Sequence, residues 1–270
     1  MADQHLRPEA ARAAIPGRRA FVAHVLRRKY LVFQNSRIAF VTGFLEAPMY
    51  LLSIGVGVGA LVGSISFGGR AVDYVDFVAP AMLATAAMNG ALFDSTYNFF
   101  HYLKFDRLYE QWLATPLGPG DIVRGELAWT LVRGGAYSLF FWVAMVALGM
   151  TSSPLAVLAL PAALLVTAAF AAVGMALTTY MRSFQDFDYV TLATMPMLLF
   201  SGTFFPVGEL PDAVRWVVEA TPLYRGVVLC RELCLGQVGV GSAVSVVYLV
   251  LIAAVSLVVV RRRVATLLLS

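Results

Sequence analysis

Apolar positions along this 270-residue chain gather in long runs, without the regular polar interruptions of a soluble amphipathic helix. Six runs stand out, at residues 38–62, 77–93, 128–150, 155–180, 189–206 and 243–260. Most approach or exceed the roughly 20 residues that a helix needs to cross the hydrocarbon core of a bilayer. Lipid offers no partner for backbone N–H and C=O groups, so a spanning segment must satisfy them internally. Runs this long and uniform predict helices, not barrel strands. The predicted fold class is an all-α integral membrane protein with six transmembrane helices, which puts both termini on one side.

Three stretches between these runs have a different rhythm. In "RRAFVAHVLRRKYLVF", residues 18–33, Phe21, Val22, Val25 and Leu26 share one face, while Arg18, His24, Arg27 and Arg28 line the other. This pattern predicts a helix lying in the cytoplasmic interface, with apolar stems buried and charges among headgroups. At the least it anchors the chain to the membrane surface. Residues 101–129 exceed the two to eight residues expected between packed helices. Within them Phe105, Leu108, Tyr109, Trp112 and Leu113 recur at helical spacing among charges, until Thr115-Pro116 and Gly118-Pro119-Gly120 break the pattern. A short cytoplasmic helix with an aromatic face either docks in a groove on another protein or covers the end of the bundle.

The third stretch is "SGTFFPVGELPDAVRWVVEATPLYRGVVLCRELCLG", residues 201–236. Gly202 and Pro206 end the fifth run, Pro211 suits the start of a helix, and Pro222 and Gly226 interrupt the apolar residues beyond it. Neither apolar piece is long enough to span. Two short helices dipping into the outer leaflet, with their broken backbone covered by protein, fit this pattern; a surface cap is the alternative.

Composition agrees with a membrane protein. Charged residues make up 13% of the chain, against about 25% in soluble domains. Sixteen of the 20 lysines and arginines fall on the side of the termini, which makes that side cytoplasmic. The chain divides into a cytoplasmic segment 1–37, a membrane domain 38–260 and a cytoplasmic tail 261–270. Its basic residues lie at membrane boundaries, where anionic headgroups account for them, so nucleic acid is not an expected partner. The first 37 residues lack the pattern of a cleavable signal peptide.

Chemical signals are sparse. "GVGVGALVG" spaces Gly55, Gly57 and Ala60 like a dinucleotide fingerprint, but no strand–turn–helix unit surrounds it. Gly55, Gly59 and Gly63 recur every four residues, which predicts one smooth face for close helix packing. The chain has no P-loop, no paired histidine–cysteine spacing for a metal and no nucleophile elbow. Cys230 and Cys234 are one helical turn apart, a spacing poorly aimed for a disulfide, so two packed thiols are expected. Glu46, Asp94 and Arg133 are charges at membrane depth, each costly if unpaired. Glu46 and Arg133 are expected at similar depth, where they pair, or Glu46 lines a polar cavity.

Four segments resemble the membrane subunits of type-2 ABC exporters: "GFLEAPMYLLSIGVGVGALVG", "VAPAMLATAAMNGALFDSTY", "GDIVRGELAW" and the 201–236 stretch, with its Ser201-Gly202, Phe205-Pro206, Leu210-Pro211 and Pro222-Leu223 pairs. The likeness is strongest to the nodulation-factor exporter permeases, with daunorubicin-resistance permeases as relatives. Glu46-Ala47-Pro48 departs from relatives that carry the acid directly before proline. The resemblance implies a non-catalytic permease in a bacterial plasma membrane, paired with a second copy or a homologous permease. Two cytoplasmic ATPase subunits would hold the ATP and Mg, and this chain would hold no cofactor. An amphipathic or lipid-linked compound, a lipo-oligosaccharide, a glycolipid or a hydrophobic drug, would be exported. Residues 104–114 would form the first coupling helix and Arg182 to Asp188, including Asp186, the second. Residues 209–234 would form an outer re-entrant gate, preceded by Phe205 and Pro206. A secondary transporter or channel without an ATPase is the alternative; it is disfavoured by the lack of an internal repeat and of proton-relay acids.

Overall fold

The computed structural model describes residues 18–34, 49, 51–114 and 117–269. It opens with α1 (Arg18–Gln34). Of the first predicted span, residues 38–48 and 50 lie outside the described residues, and Glu46 with them. From Ser53 the chain makes a π-helical stretch and then α2 (Gly59–Val62). Gly63 ends α2 with φ of 70°, a left-handed value that disfavours a side chain. Of the three glycines expected to pack, Gly59 does so closely: a Cβ added there would lie 2.8 Å from the Val75 side chain. Gly63 is a turn residue instead, because its backbone leaves the helix.

A β-hairpin comes next, the one departure from all-α structure among the described residues. β1 (Ser64–Phe67) pairs antiparallel with β2 (Arg70–Asp73), with Ser64 opposite Asp73 and Phe67 opposite Arg70. Gly68 and Gly69, with φ of 59° and 75°, supply the two positive-φ residues that a tight hairpin turn needs. That Gly-Gly pair between alternating residues was the available signal in the sequence.

Four described helices are long and apolar enough to cross a membrane: Tyr74–Lys104, Pro119–Ala147, Pro154–Thr178 and Val240–Leu269. The first comprises α3 (Tyr74–Phe93), a π-helical turn at Asp94–Asn98 and α4 (Phe99–Lys104). After α5 (Leu108–Leu113) comes α6 (Pro119–Ala147), which begins well before the predicted residue 128. Gly118 is extended, Pro119 takes the first helical position and Asp121 accepts the Gly118 N–H at 3.2 Å, a capped start. Its first turns are polar, so hydropathy alone hid them.

The remaining elements are α7 (Ala159–Thr178), α8 (Phe187–Phe200), α9 (Asp212–Glu219), α10 (Pro222–Leu235) and α11 (Val240–Leu269). Of the fifth predicted span, 189–206, residues up to Phe200 form part of α8, a 14-residue helix that stops before Ser201-Gly202, the break that the sequence suggested. Helix α11 runs through Arg261–Arg263 to Leu269, so the described part of the tail is a helical extension. Residues Pro211 and Pro222 stand at the starts of α9 and α10, and Thr221 caps α10 through the Tyr224 N–H at 3.3 Å.

Helix α3 is the centre of the bundle. Phe77, Leu83 and Met88 pack with Phe141 and Met145 of α6, Val166 and Phe170 of α7, Leu223 of α10 and Leu249 of α11. A second core closes one end of the bundle around Phe99, Leu103, Tyr109, Ile122, Met175, Val260 and Val264. Valines and leucines such as Val247, Leu251, Val255 and Val258 lie exposed along α11. In lipid this is the expected finish, since tight packing rather than hydrophobic exclusion holds such helices together.

Candidate functional site

The end of the bundle that carries α1, α4 and α5 gathers most of the residues singled out in the sequence. Helices α4 and α5 are two pieces joined at Phe105–Arg107, where Arg107 has φ of 46°. This kink turns α5 back onto the bundle. Leu108 is buried, and Tyr109 has no exposed surface, packing on Phe99 with ring centroids 5.4 Å apart. Burial pushes the Tyr109 hydroxyl well above the usual tyrosine range, and Glu126 beside it adds to the effect. Trp112 meets Phe21 of α1 edge-on at 5.6 Å, with the Arg28 guanidinium 5.8 Å from its ring.

Of the two roles expected for this helix, the contacts of Leu108, Tyr109 and Trp112 with their own chain fit a cover over the bundle end, while Glu110, Gln111 and Ala114 are exposed. The aromatic periodicity was real, but it served the interior because the kink at Arg107 rotates that face inward.

Helix α1 is also more than a surface anchor. Phe21, Val25 and Lys29, spaced by one helical turn, are buried. Val25 lies over Gly125, where an added Cβ would stand 3.2 Å from its methyl group. One residue further along α6, Glu126 forms an ion pair with Lys29, each side chain 4% exposed. The Lys29 ammonium also sits 5.0 Å from the centroid of the Tyr102 ring. The sequence pattern flags neither residue: Lys29 is one of several basic residues before the first run, and Glu126 precedes the third.

A second buried pair lies close by. Arg133 donates to Asp94 at 2.6 Å, with side chains 13% and 2% exposed. Asn98 donates to the same Asp94 oxygen at 2.6 Å, and Arg133 lies 5.6 Å from the Phe93 ring and 5.5 Å from the Tyr137 ring. Arg133 is some 21 Å along α6 at about 1.5 Å per residue, deeper than its expected place near the start of the span.

The second predicted coupling element is ordered by its own carboxylate. Asp186 accepts the backbone N–H groups of Arg182 at 2.6 Å and Ser183 at 3.1 Å. These bonds hold the Asp186 carboxyl below its ordinary range. Beside it Phe184 stacks on Phe105 with centroids 5.2 Å apart and planes 21° from parallel, and Phe105 stacks on His101 at 5.7 Å. Phe105 is 57% exposed and Phe184 50%. The two elements expected to meet a partner thus share one exposed aromatic patch. Phe100 and Phe187 support it from beneath. Phe184 lies inside the Arg182 to Asp188 element, but it stands alone there, without periodicity to flag it.

The described residues thus combine helices long and apolar enough to cross a membrane with the short helices α5, α9 and α10. Residues 21–235 match the family model described as ABC-2 type transporter, and the chain belongs to that family. Among its relatives, nodulation protein J of Rhizobium leguminosarum bv. viciae is 35% identical over 88% of this chain and 93% of its own length. Nodulation protein J of Rhizobium meliloti is 34% identical over 83% and 85%, and that of Azorhizobium caulinodans 25% over 76% and 80%. The chain is therefore an ABC exporter membrane subunit, a permease of the ABC-2 type similar to these proteins.

Proposed function

We propose that this chain is the permease of an ATP-driven exporter that moves an amphipathic or lipid-linked compound, of the lipo-oligosaccharide, glycolipid or hydrophobic-drug kind, out of the cytoplasm or inner leaflet. Two ATPase subunits bind its cytoplasmic end in a bacterial plasma membrane and hold the ATP and Mg. A second permease copy, or a homologue, completes the path. The six-span arrangement, with the first span through the undescribed residues and α8 as the fifth, belongs to this reading, as do cytoplasmic termini and α9–α10 as an outer re-entrant pair. The exposed apolar face of α8, with Tyr189, Leu192, Met195 and Leu199, is the surface offered to the second copy.

The observation that carries this reading is the Phe105–Phe184 stack. Exposed aromatic side chains on a rigid base are the usual anchors of a protein interface, and this pair joins both coupling elements into one docking surface. The test compares Phe105→Ala and Phe184→Ala with Trp112→Ala in membranes that also contain the ATPase. The first two should insert normally yet lose partner co-purification or separate ATP hydrolysis from export. Retention of partner binding, hydrolysis and export in both would refute the docking assignment.

A further inference from the structure

Helix α10 runs from the middle of the bundle to its rim. At one end the Cys234 carbonyl accepts the Ser152 N–H at 3.2 Å, and Gly236 lies against Ser153, in the segment between α6 and α7. Toward the other end Gly226 packs against Val166 of α7 and Ala84 of α3, where an added Cβ would stand 2.8 and 3.7 Å from their side chains. Ala84 lies about 15 Å into α3 at ~1.5 Å per residue, half of a hydrocarbon core roughly 30 Å thick.

Arg225, the residue before Gly226, is therefore a charge at membrane depth. Its half-buried side chain makes no hydrogen bond or ion pair among the described residues, and its Nε is buried without an acceptor. Two rings flank the guanidinium, Tyr224 with its centroid at 5.5 Å and Tyr248 of α11 at 5.8 Å. The Tyr248 hydroxyl donates to the Ala220 carbonyl, which fixes that ring. Glu219, close by in sequence, is taken by Arg215, whose Nε donates to it at 2.7 Å.

The fold supplies no counter-charge for this cation. Arg225 occupies the first turn of α10, where the positive end of the helix dipole disfavours a cation. Ring faces attract a guanidinium but accept none of its in-plane N–H groups. By contrast, Arg133 has Asp94, and Arg231 has the carbonyls of Phe77 and Gly202. A charge left without a partner at this depth is costly, and such residues mark ligand paths. The surface beside it is apolar. Val244, Tyr248, Leu251 and Val255 follow at four- and three-residue spacing along one face of α11, and the three aliphatic side chains are exposed.

We propose that Arg225, between Tyr224 and Tyr248, binds the phosphate or sulfate head of an amphipathic lipid whose hydrocarbon chain lies along this stripe of α11. That such a lipid is also the exported compound rests on the export reading above; the binding itself does not. The charge and the stripe together call for both parts of the ligand.

The experiment titrates the purified chain, in neutral detergent and without an ATPase partner, with phosphatidylglycerol, with a neutral galactolipid of the same chains, and with inorganic phosphate. Native mass spectrometry counts the bound lipid. The parent should bind phosphatidylglycerol about tenfold more tightly than the galactolipid, the scale of one charge-assisted hydrogen bond. Arg225→Gln should lose that preference with its galactolipid affinity unchanged. Arg225→Lys keeps the charge, and so tests the site even if the glutamine variant misfolds; it should retain part of the preference. Arg215→Gln, which removes a surface arginine already paired with Glu219, should retain all of it. Equal affinity of the parent and Arg225→Gln for phosphatidylglycerol overturns the proposal. So does displacement of that lipid by an equal concentration of inorganic phosphate, which would mark a simple anion site. Loss of self-association in Arg225→Gln with lipid binding intact also overturns it, because the face would then belong to a second copy.

Discussion

Two regions of the bundle hold buried cations in different ways. Where α1 and the α3–α4 helix meet α6, the cation meets a carboxylate: Lys29 meets Glu126, and Arg133 meets Asp94. On α10, Arg231 meets two backbone carbonyls and two rings. An ion pair in a low-dielectric interior is expensive to separate, because either partner left alone keeps its desolvation penalty. A cation on carbonyls leaves behind only neutral groups. The ion-paired region is therefore the costlier of the two to disturb by removing a single partner.

The largest effect expected from breaking this contrast is at Glu126. Glu126→Ala strands Lys29 and should lower the stability of the purified chain by about 3–5 kcal/mol, read from denaturant or thermal unfolding in detergent. The double variant Lys29→Met, Glu126→Leu should recover most of that loss, because it removes both charges together. A double variant as unstable as the single would mean that the pair is held by more than charge.

The docking patch comes next. Phe105→Ala should weaken association with the ATPase by about 2 kcal/mol, typical of an aromatic anchor, with little change in the stability of the free chain. Trp112→Ala should do the reverse, since its ring is engaged with Phe21 and Arg28 of the same chain. A binding titration and an unfolding curve for each variant separate the two roles, and exchanged phenotypes would invert the assignment.

Beside Arg231, Gly202→Ala should cost about 1–2 kcal/mol from the left-handed backbone alone, with further strain from Val207. It should also misplace the carbonyl that Arg231 grips. Unfolding measurements give the first effect, and maleimide labelling of the buried free thiols Cys230 and Cys234 on α10 gives the second. An unchanged labelling rate in a destabilised Gly202→Ala protein would show that the carbonyl's position is not what holds Arg231.

The smallest effect is a pH dependence at the second coupling element. Backbone N–H groups of Arg182 and Ser183 lower the Asp186 pKa in the folded chain. A depressed carboxylate contributes its stabilisation in full above the unfolded-state pKa and loses it as pH falls through the folded value. The loop should therefore stay ordered through neutral and mildly acidic pH and loosen only below the usual carboxylate range. Amide hydrogen exchange at residues 182 and 183 reads this directly. Asp186→Asn should abolish the dependence, and a transition near neutral pH would point to a different titrating group.

Much of this molecule was legible in its residues, for a physical reason. In lipid a helix satisfies its own backbone, so run length and hydropathy decide where helices form, without reference to neighbours. The spans through α3 and α7 and the break at Ser201-Gly202 depend only on local sequence, and so do the short helices that Pro211 and Pro222 introduce. The positive-inside balance is equally local. Which face of a helix turns inward is a different kind of fact. Tyr109 faces the core because a single left-handed residue at Arg107 redirects α5. Lys29 is buried because α1 crosses α6 at Gly125, and Arg231 reaches Phe77 across 154 positions of chain. Such pairings depend on how helices cross, a long-range geometry that hydrophobic periodicity does not encode. Only the tertiary structure decided that the aromatics of α5 hold the bundle together, while Phe105 and Phe184, with no periodic pattern between them, meet on its surface.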